Sequence, residues 1–302
     1  MKLTNLPELE EQIKSELFRQ GLALRDDLLF NPSFAMAGEN HYVFTLRKYS
    51  RLNQRKTQLL FEVRLDNDLG LKSISQAQEI SSIKGHQVRD MKLGQFGERI
   101  FATWNTGHPR NKKENNELFI SPYKSISNAS KVVLEGRARV EKNWGFFQQH
   151  GSIRSLYRLD QPVILESDSF RPGSELVMRP LDSQFSPSKL RNKRISIGSQ
   201  PISYNDQLVL TCHWKPGIGK FRAYLPLIVF MQPNEQGFRI KTYFLRIKPF
   251  SLKLSRLNPF AFAVNYASGL AKNKDGLLLG LGVADEDFRL FLIQRGFMGN
   301  GG

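Results

Sequence analysis

The chain has one cysteine, Cys212, among 302 residues, which excludes an internal disulfide and a cluster of thiolate metal ligands. Long hydrophobic runs are missing as well. No stretch approaches the roughly 18 apolar residues of a membrane-spanning helix, and the opening MKLTNLPELEEQIKSELFRQ puts acids where a secretory segment would be apolar. The expectation is a cytoplasmic protein in a reducing setting, with no transmembrane segment. Also absent are a Gly-x-Ser-x-Gly elbow, a phosphate-binding loop ending in Gly-Lys-Ser/Thr, a Rossmann glycine fingerprint followed by a helix, and His-Glu-x-x-His. The five histidines stand far apart, so neither a metal nor a cofactor is indicated. Acid is scarce: 28 Asp and Glu face 44 Lys and Arg, a net charge of +16, which favours an anionic partner. The cations are scattered, with only short clusters at Arg110 to Lys113 and Lys189 to Arg194. Without a recognisable nucleic-acid-binding signature, nucleic acid is the disfavoured anion.

What is present is a short amphipathic stretch followed by a long β pattern. Residues 5–20 predict a helix, with Asn5 as cap, Glu8 three residues on, Leu9, Ile13 and Leu17 on one face, and Gly21 as the stop. From about Leu29 the hydrophobic period changes to two. HYVFTLRKYS, QLLFEVRLD, GERIFATWNT, IRSLYRL, QLVLTCHW, RAYLPLIVFM, FRIKTYFLRI and GLLLGLGV are short runs rich in β-branched and aromatic residues.

Five segments repeat one plan: Phe30 to Lys48, Arg89 to Gly107, Glu141 to Asp160, Gly198 to Lys215, and Tyr266 to Asp285. Each runs from a polar or small-residue opening through an apolar strand and a tight turn to a second apolar strand. Their spacing of about 50 to 70 residues suits a four-stranded propeller blade. The expected fold is all-β: an N-terminal helical segment over residues 1–28 and a five-bladed β-propeller over 29–302. A sandwich or two small β domains are the alternative. In a propeller the segment openings converge on a central channel, so residues distant in sequence can share one site.

At these segments the chain resembles the five-bladed propeller enzymes that act on sugars, which include β-mannoside phosphorylases, arabinan-degrading hydrolases and fructan-active enzymes. FNPSF and the strand reaching Arg47 resemble the opening of the first blade. RDMKLGQFGERIFATWN resembles that of the second, with Asp90 and Lys92 in the Asp and Arg places of a Glu-Asp-Pro-Arg motif. EKNWGFF resembles the third, GSQPI with the strand carrying His213 the fourth, and ASGL with GLGVAD, ending in Asp285, the fifth. A branch of propellers with a Glu-Lys-Asn-Trp stretch, associated with polysaccharide assembly, is similar too. The departures are Asn143, where mannoside phosphorylases carry a proton-donating Asp, and Arg89 and Met91 in place of the Glu and Pro of the second opening.

Glycosyl transfer and hydrolysis commonly use two carboxyl groups, about 5 Å apart in retaining enzymes and about 6.5 to 9.5 Å in inverting ones. Asp90, Glu141 and Asp285 are the candidate catalytic acids. Arg47, Lys92, Lys142 and His213 are candidates to cradle a phosphate or the diphosphate of a nucleotide sugar. Asn105 and Asn143 suit sugar hydroxyls, and Trp144, Phe146, Trp104 and Tyr157 suit stacking on sugar rings. Together with the five repeats and the net charge of +16, the resemblance implies a glycosyltransferase of polysaccharide or glycoconjugate synthesis, with a sugar donor and a glycan acceptor. The alternatives are a glycoside phosphorylase or hydrolase, and a non-catalytic propeller that binds an acidic polymer.

Overall fold

The structure is a computed structural model. It describes residues 2–294 except 110, 112–113, 160–161, 168, 183, 186–193, 219–220, 235–236, 248–256 and 258–260. Apart from Asn111 and Arg194, the two basic clusters therefore lie outside the described residues, as does Asp160. The strands group in chain order into antiparallel sets, the last two of which a short parallel pairing of Arg222 with Ala261 and Tyr224 with Val264 joins into one sheet. Leu28–Gly38, His41–Ser50, Arg55–Leu65 and Leu71–Ile80 form the first, and Arg89–Phe96, Arg99–Asn105, Leu118–Pro122 and Ser130–Val133 the second. Gly145–Gln149, Ser152–Arg158, Val163–Ser167 and Arg179–Leu181 form the third. In the fourth, the innermost position is shared by Ile195–Ile197 and Ile202–Tyr204, followed by Gln207–Trp214, Phe221–Asn234 and Gly237–Phe244. Ala261–Asn273, Gly276–Val283 and Asp287–Gln294 belong to the last sheet.

Side chains and backbone groups at the inner strands stitch each sheet to the next and close the ring, which makes the fold a β-propeller. The Leu93 amide donates to Ser33 Oγ at 3.0 Å, joining the first two sheets. Gln200 of the fourth sheet donates to Thr103 Oγ1 of the second at 2.8 Å and accepts from the Phe146 amide of the third at 2.6 Å. Thr211 Oγ1 donates to the Ala267 carbonyl at 3.0 Å, joining the fourth to the last. Ser268 Oγ donates to the Pro32 carbonyl at 2.7 Å and returns to the first. The hairpin turns carry the backbone that tight turns require: His150 and Gly151, and likewise Asn205 and Asp206, all have positive φ.

The N-terminal segment does more than form a helix. Leu3–Asn5 pairs antiparallel with Phe291 to Ile293 and so completes the last sheet with the start of the chain. Asn5 is therefore a strand residue and caps nothing. The helix spans Pro7–Arg19, with Leu6 at its cap position and no side-chain cap bond, and it ends before Gly21 at φ +71°. Its buried face, Leu9, Ile13 and Leu17, packs in one cluster with Phe61 and Val63 of the first sheet and Leu290 and Leu292 of the last. The helix thus covers the junction that closes the ring.

Glu10 is carried into this junction with 2% of its surface exposed, and its Oε1 accepts from the Leu290 amide at 2.7 Å. Burial outweighs Arg289 and pushes its carboxyl up from 4.5 to about 7. The folded state therefore favours the protonated acid. That preference is fully present below 4.5 and is lost as pH rises through about 7. Glu10→Gln is expected to gain melting temperature relative to the wild type over that window and to hold a constant lead above it. Parallel melting curves across the range check this.

Candidate functional site

At the mouths of the inner strands the backbone departs from regular β geometry in the same way. Asn31 (φ 52°), Asp90 (φ 50°) and Asn143 (φ 68°) are left-handed, and the pairing register shifts between Phe30 and Ser33 and between Arg89 and Lys92. Asn and Asp tolerate this conformation better than other residues with side chains. The bulges at Asn31 and Asp90 turn these two side chains into the cavity that Asn143 also lines. Asp285, also left-handed at φ 55°, reaches the same place from the last sheet.

Together they line a cavity of about 350 Å³ with Arg47, Lys56, Arg89, Lys142, Lys215, His108, His213, Tyr224 and Tyr266 among its other walls. Five Lys and Arg side chains thus face two carboxylates. Arg47 Nη1 lies 2.7 Å from Asp90 Oδ1, and Lys142 Nζ lies 3.9 Å from Oδ2. Burial alone would raise the Asp90 pKa, but Arg47, Lys142 and Lys92 together hold it at about 2, so it is an ionised carboxylate at neutral pH. The crowding of cations has the opposite signature. Lys56 is held below its ordinary value by burial and then by Arg47 and Arg89, and Arg89 by burial and then by Arg47.

Two further lining groups, His213 and Tyr266, are neutral. His213 is 1% exposed, and burial followed by Lys215, Lys92 and Lys142 keeps its pKa well below 6.5, so the imidazole carries no charge. It is therefore not the phosphate-binding cation that its sequence position suggested. Its ring lies 4.3 Å from Tyr266 and 5.4 Å from Tyr224 between centroids, and its buried Nδ1 has no hydrogen-bond partner among the described residues. Tyr266, pushed well above 10 by burial and then Asp90, stays protonated and donates to Asn143 Oδ1 at 3.2 Å.

Of the residues singled out from sequence, Asp90, Asp285, Arg47, Lys142, Asn143 and His213 meet at this cavity. Lys92 and Asn105 lie beneath it. Lys92 is 4% exposed, and Asn105 Oδ1 accepts from the Gly107 amide at 2.8 Å while its side chain also supports Asp90. Glu141 is not among the lining residues. Its carboxylate accepts from the Ala138 amide at 2.7 Å and from the Tyr157 hydroxyl, and its own amide donates to Asn116 Oδ1 at 2.9 Å, so it pins a connecting loop. Trp144, expected to stack on sugars, is buried against Phe146 and Tyr157, while Trp104 is buried against Phe119. The wedge between adjacent sheets needs bulk there. Asn31, Lys56, Arg89, His108, Lys215, Tyr224 and Tyr266 were not singled out as site residues. All but Lys56, His108 and Tyr224 stand within or at the end of the repeated segments, where a polar side chain at each opening was the available signal.

Among the described residues no three His, Cys, Asp or Glu are grouped to hold a metal ion, and no helix is long and apolar enough to cross a membrane. Cys212 is buried and its thiol is pushed up to about 12 by burial, so it offers no nucleophile here.

No protein-family model and no curated protein sequence matches the chain. Solved structures do match it. The β-1,2-mannobiose phosphorylase of Listeria innocua, in complex with β-1,2-mannobiose, aligns over 99% of this chain and 98% of its own with TM-score 0.58 and 12% identity. A structure of the family 130 mannoside phosphorylases, described as containing hydrolases that target β-1,2-mannosidic linkages in Candida mannan, covers 89% and 85% with the same score and identity. A glycosyl hydrolase from Bacteroides ovatus covers 89% and 85% with TM-score 0.55 and 11% identity. At these identities the likeness is one of fold.

Proposed function

We propose that this chain is a carbohydrate-active enzyme that transfers a glycosyl group between a sugar hydroxyl and inorganic phosphate, a glycoside phosphorylase working at the channel mouth. The observation that carries the reading is Asp90 and Asp285 facing one cavity with Arg47, Lys56, Arg89, Lys142 and Lys215. Hydrolysis needs carboxyl groups and water but has no use for five cations, whereas phosphorolysis needs charge-assisted donors for a dianion. The phosphorylases and hydrolases among the fold relatives support this chemistry over the expected transfer from a nucleotide sugar.

In the proposed reaction a phosphate oxygen attacks the anomeric carbon, the bond from that carbon to the glycosidic oxygen breaks, and the departing oxygen takes a proton. In reverse, the acceptor hydroxyl gives up its proton as phosphate leaves. Asn143 is an amide and cannot exchange that proton, so the role falls to Asp90. Alone, Asp90 is held at about 2. A phosphate dianion beside Arg47 and Lys142 offsets the field that holds it there, and raises it toward a range where a carboxyl can carry a proton.

The test is incubation with β-1,2-mannobiose, with and without inorganic phosphate. Sugar 1-phosphate formed only when phosphate is present is the expected result. Free sugar released at equal rates in both mixtures would move the assignment to a hydrolase. No turnover of any glycoside, with binding of anionic polymers that falls steeply with salt, would make the chain a binding module.

A further inference from the structure

Lys92 is a buried ammonium that has no direct part in the reaction above, although its charge helps to keep Asp90 ionised. It leaves the second sheet's inner strand, passes beneath the cavity and donates to two neutral oxygens: Asn143 Oδ1 of the third sheet at 3.0 Å and the Ile197 carbonyl of the fourth at 2.9 Å. Burying a charge there is costly, and a methionine would fill the same space without that cost. Asn143 Oδ1 also accepts from Tyr266 of the last sheet. An ammonium has three donors and no acceptor. A flipped amide would set N–H against N–H, so the orientation with Oδ1 toward the floor is the one that Lys92 permits. The Asn143 amide N–H groups then point away from the floor, and Asn143 lines the cavity.

We propose that Lys92 is a positioning residue: it fixes Asn143 as a hydrogen-bond donor, so that the cavity recognises an acceptor oxygen of the sugar at this point. The identity of the bound oxygen rests on the glycoside reading above; the orientation of the amide does not. The groups facing Lys92 are Asp90 and Cys212, which raise its pKa, and Lys215 and Lys142, which lower it, with Tyr266 on Asn143 and His213 packed against Tyr266. Burial dominates and brings Lys92 down to about 7. Above that pH a neutral amine can also accept, and the constraint on the amide relaxes.

Two measurements test this. With asparagine labelled in the side-chain nitrogen and Asn143→Gly used for assignment, because glycine accepts φ 68°, the Asn143 amide signals are followed through neutral pH. They are expected to move with a midpoint near 7 in the wild type and to stay flat in Lys92→Met. Asn143 amide signals that are the same in the wild type and in Lys92→Met at every pH overturn the proposal, whether or not any glycoside is turned over; should Lys92→Met not fold, Lys92→Gln, whose side chain can also accept, takes its place.

The second is a double-mutant cycle on turnover of β-1,2-mannobiose. Lys92→Met and Asn143→Gly are each expected to raise the KM for the sugar about tenfold, the pair no more than either alone, with the KM for phosphate within about twofold. Additive losses, or equal losses for sugar and phosphate, would mean that Lys92 acts through the fold and not through Asn143.

Discussion

Replacing Asp90 by Asn is expected to lower phosphate-dependent turnover by roughly 10² to 10⁴, the usual contribution of a positioned acid or base, while the affinity for phosphate rises. The two effects have one source. The substitution keeps an oxygen for Arg47, which now lies 2.7 Å from Oδ1, and Asn tolerates φ 50° as Asp does. What disappears is the negative charge and the transferable proton, so Arg47, Lys56, Arg89 and Lys142 are left with less to offset them. A lower KM for phosphate with a collapsed kcat separates lost chemistry from lost binding. The fold loses less. The Asp90 carboxyl is depressed from 3.8 to about 2, so its stabilisation is present above 3.8 and lost as pH falls through about 2. At neutral pH the variant forgoes about 2 kcal/mol at most. Measuring kcat, both KM values and the melting temperature of Asp90→Asn decides it. Full activity would remove Asp90 from the mechanism.

The strands were legible as short apolar runs bounded by turn residues: HYVFTLRKYS, QLVLTCHW and GLLLGLGV coincide with observed strands residue for residue, and their interiors are buried on both faces. The ring closure was not. Leu3–Asn5 is three residues long, too short for a period, and it becomes a strand only because Phe291 to Ile293 offers an unpaired edge. At the site, the repeat pointed to Asp90 and Asp285, which share one cavity, and misaligned the third opening by two residues. Glu141 had been set against Asp90 as the acid of the third opening, yet the residue that shares Asp90's left-handed backbone and lines the cavity with it is Asn143. Sequence shows residue types and spacing, but the alignment that matters here follows φ, and an Asn or Asp near the start of the innermost strand marks it in Asn31, Asp90 and Asn143 alike. The cations Lys56 and Lys215 sit near strand ends with no local feature to separate them from solvated lysines. Only the convergence of sheets around an axis gives them a common cavity.

Gly198→Ala is expected to lower the melting temperature by roughly 6 to 12 °C, taking about 3 kcal/mol of destabilisation at about 2 to 4 °C per kcal/mol. The reason is contact and not conformational freedom. A methyl at this position would stand 1.8 Å from the Ala267 carbonyl oxygen and 2.9 Å from Thr211 Oγ1, and the bond between those two groups joins the fourth sheet to the last. The methyl must either push the sheets apart or break that bond and leave a buried carbonyl unpaired, which costs about 1 to 3 kcal/mol in itself. Gly85→Ala is the control: its φ is +81° but an added methyl meets nothing, so only the backbone penalty of about 1 to 2 kcal/mol applies. Gly198 also stands between the two supports of the site floor. Its neighbour Ile197 accepts from Lys92, and Tyr266, beside Ala267, holds Asn143. A displacement at Gly198 therefore moves both groups that orient the Asn143 amide. Gly198→Ala is expected to raise the KM for the sugar even where it remains folded, and Gly85→Ala is not. Equal melting temperatures for the two variants would show that the sheets slide apart at little cost, and the close approach at Gly198 would then not be what holds the ring together.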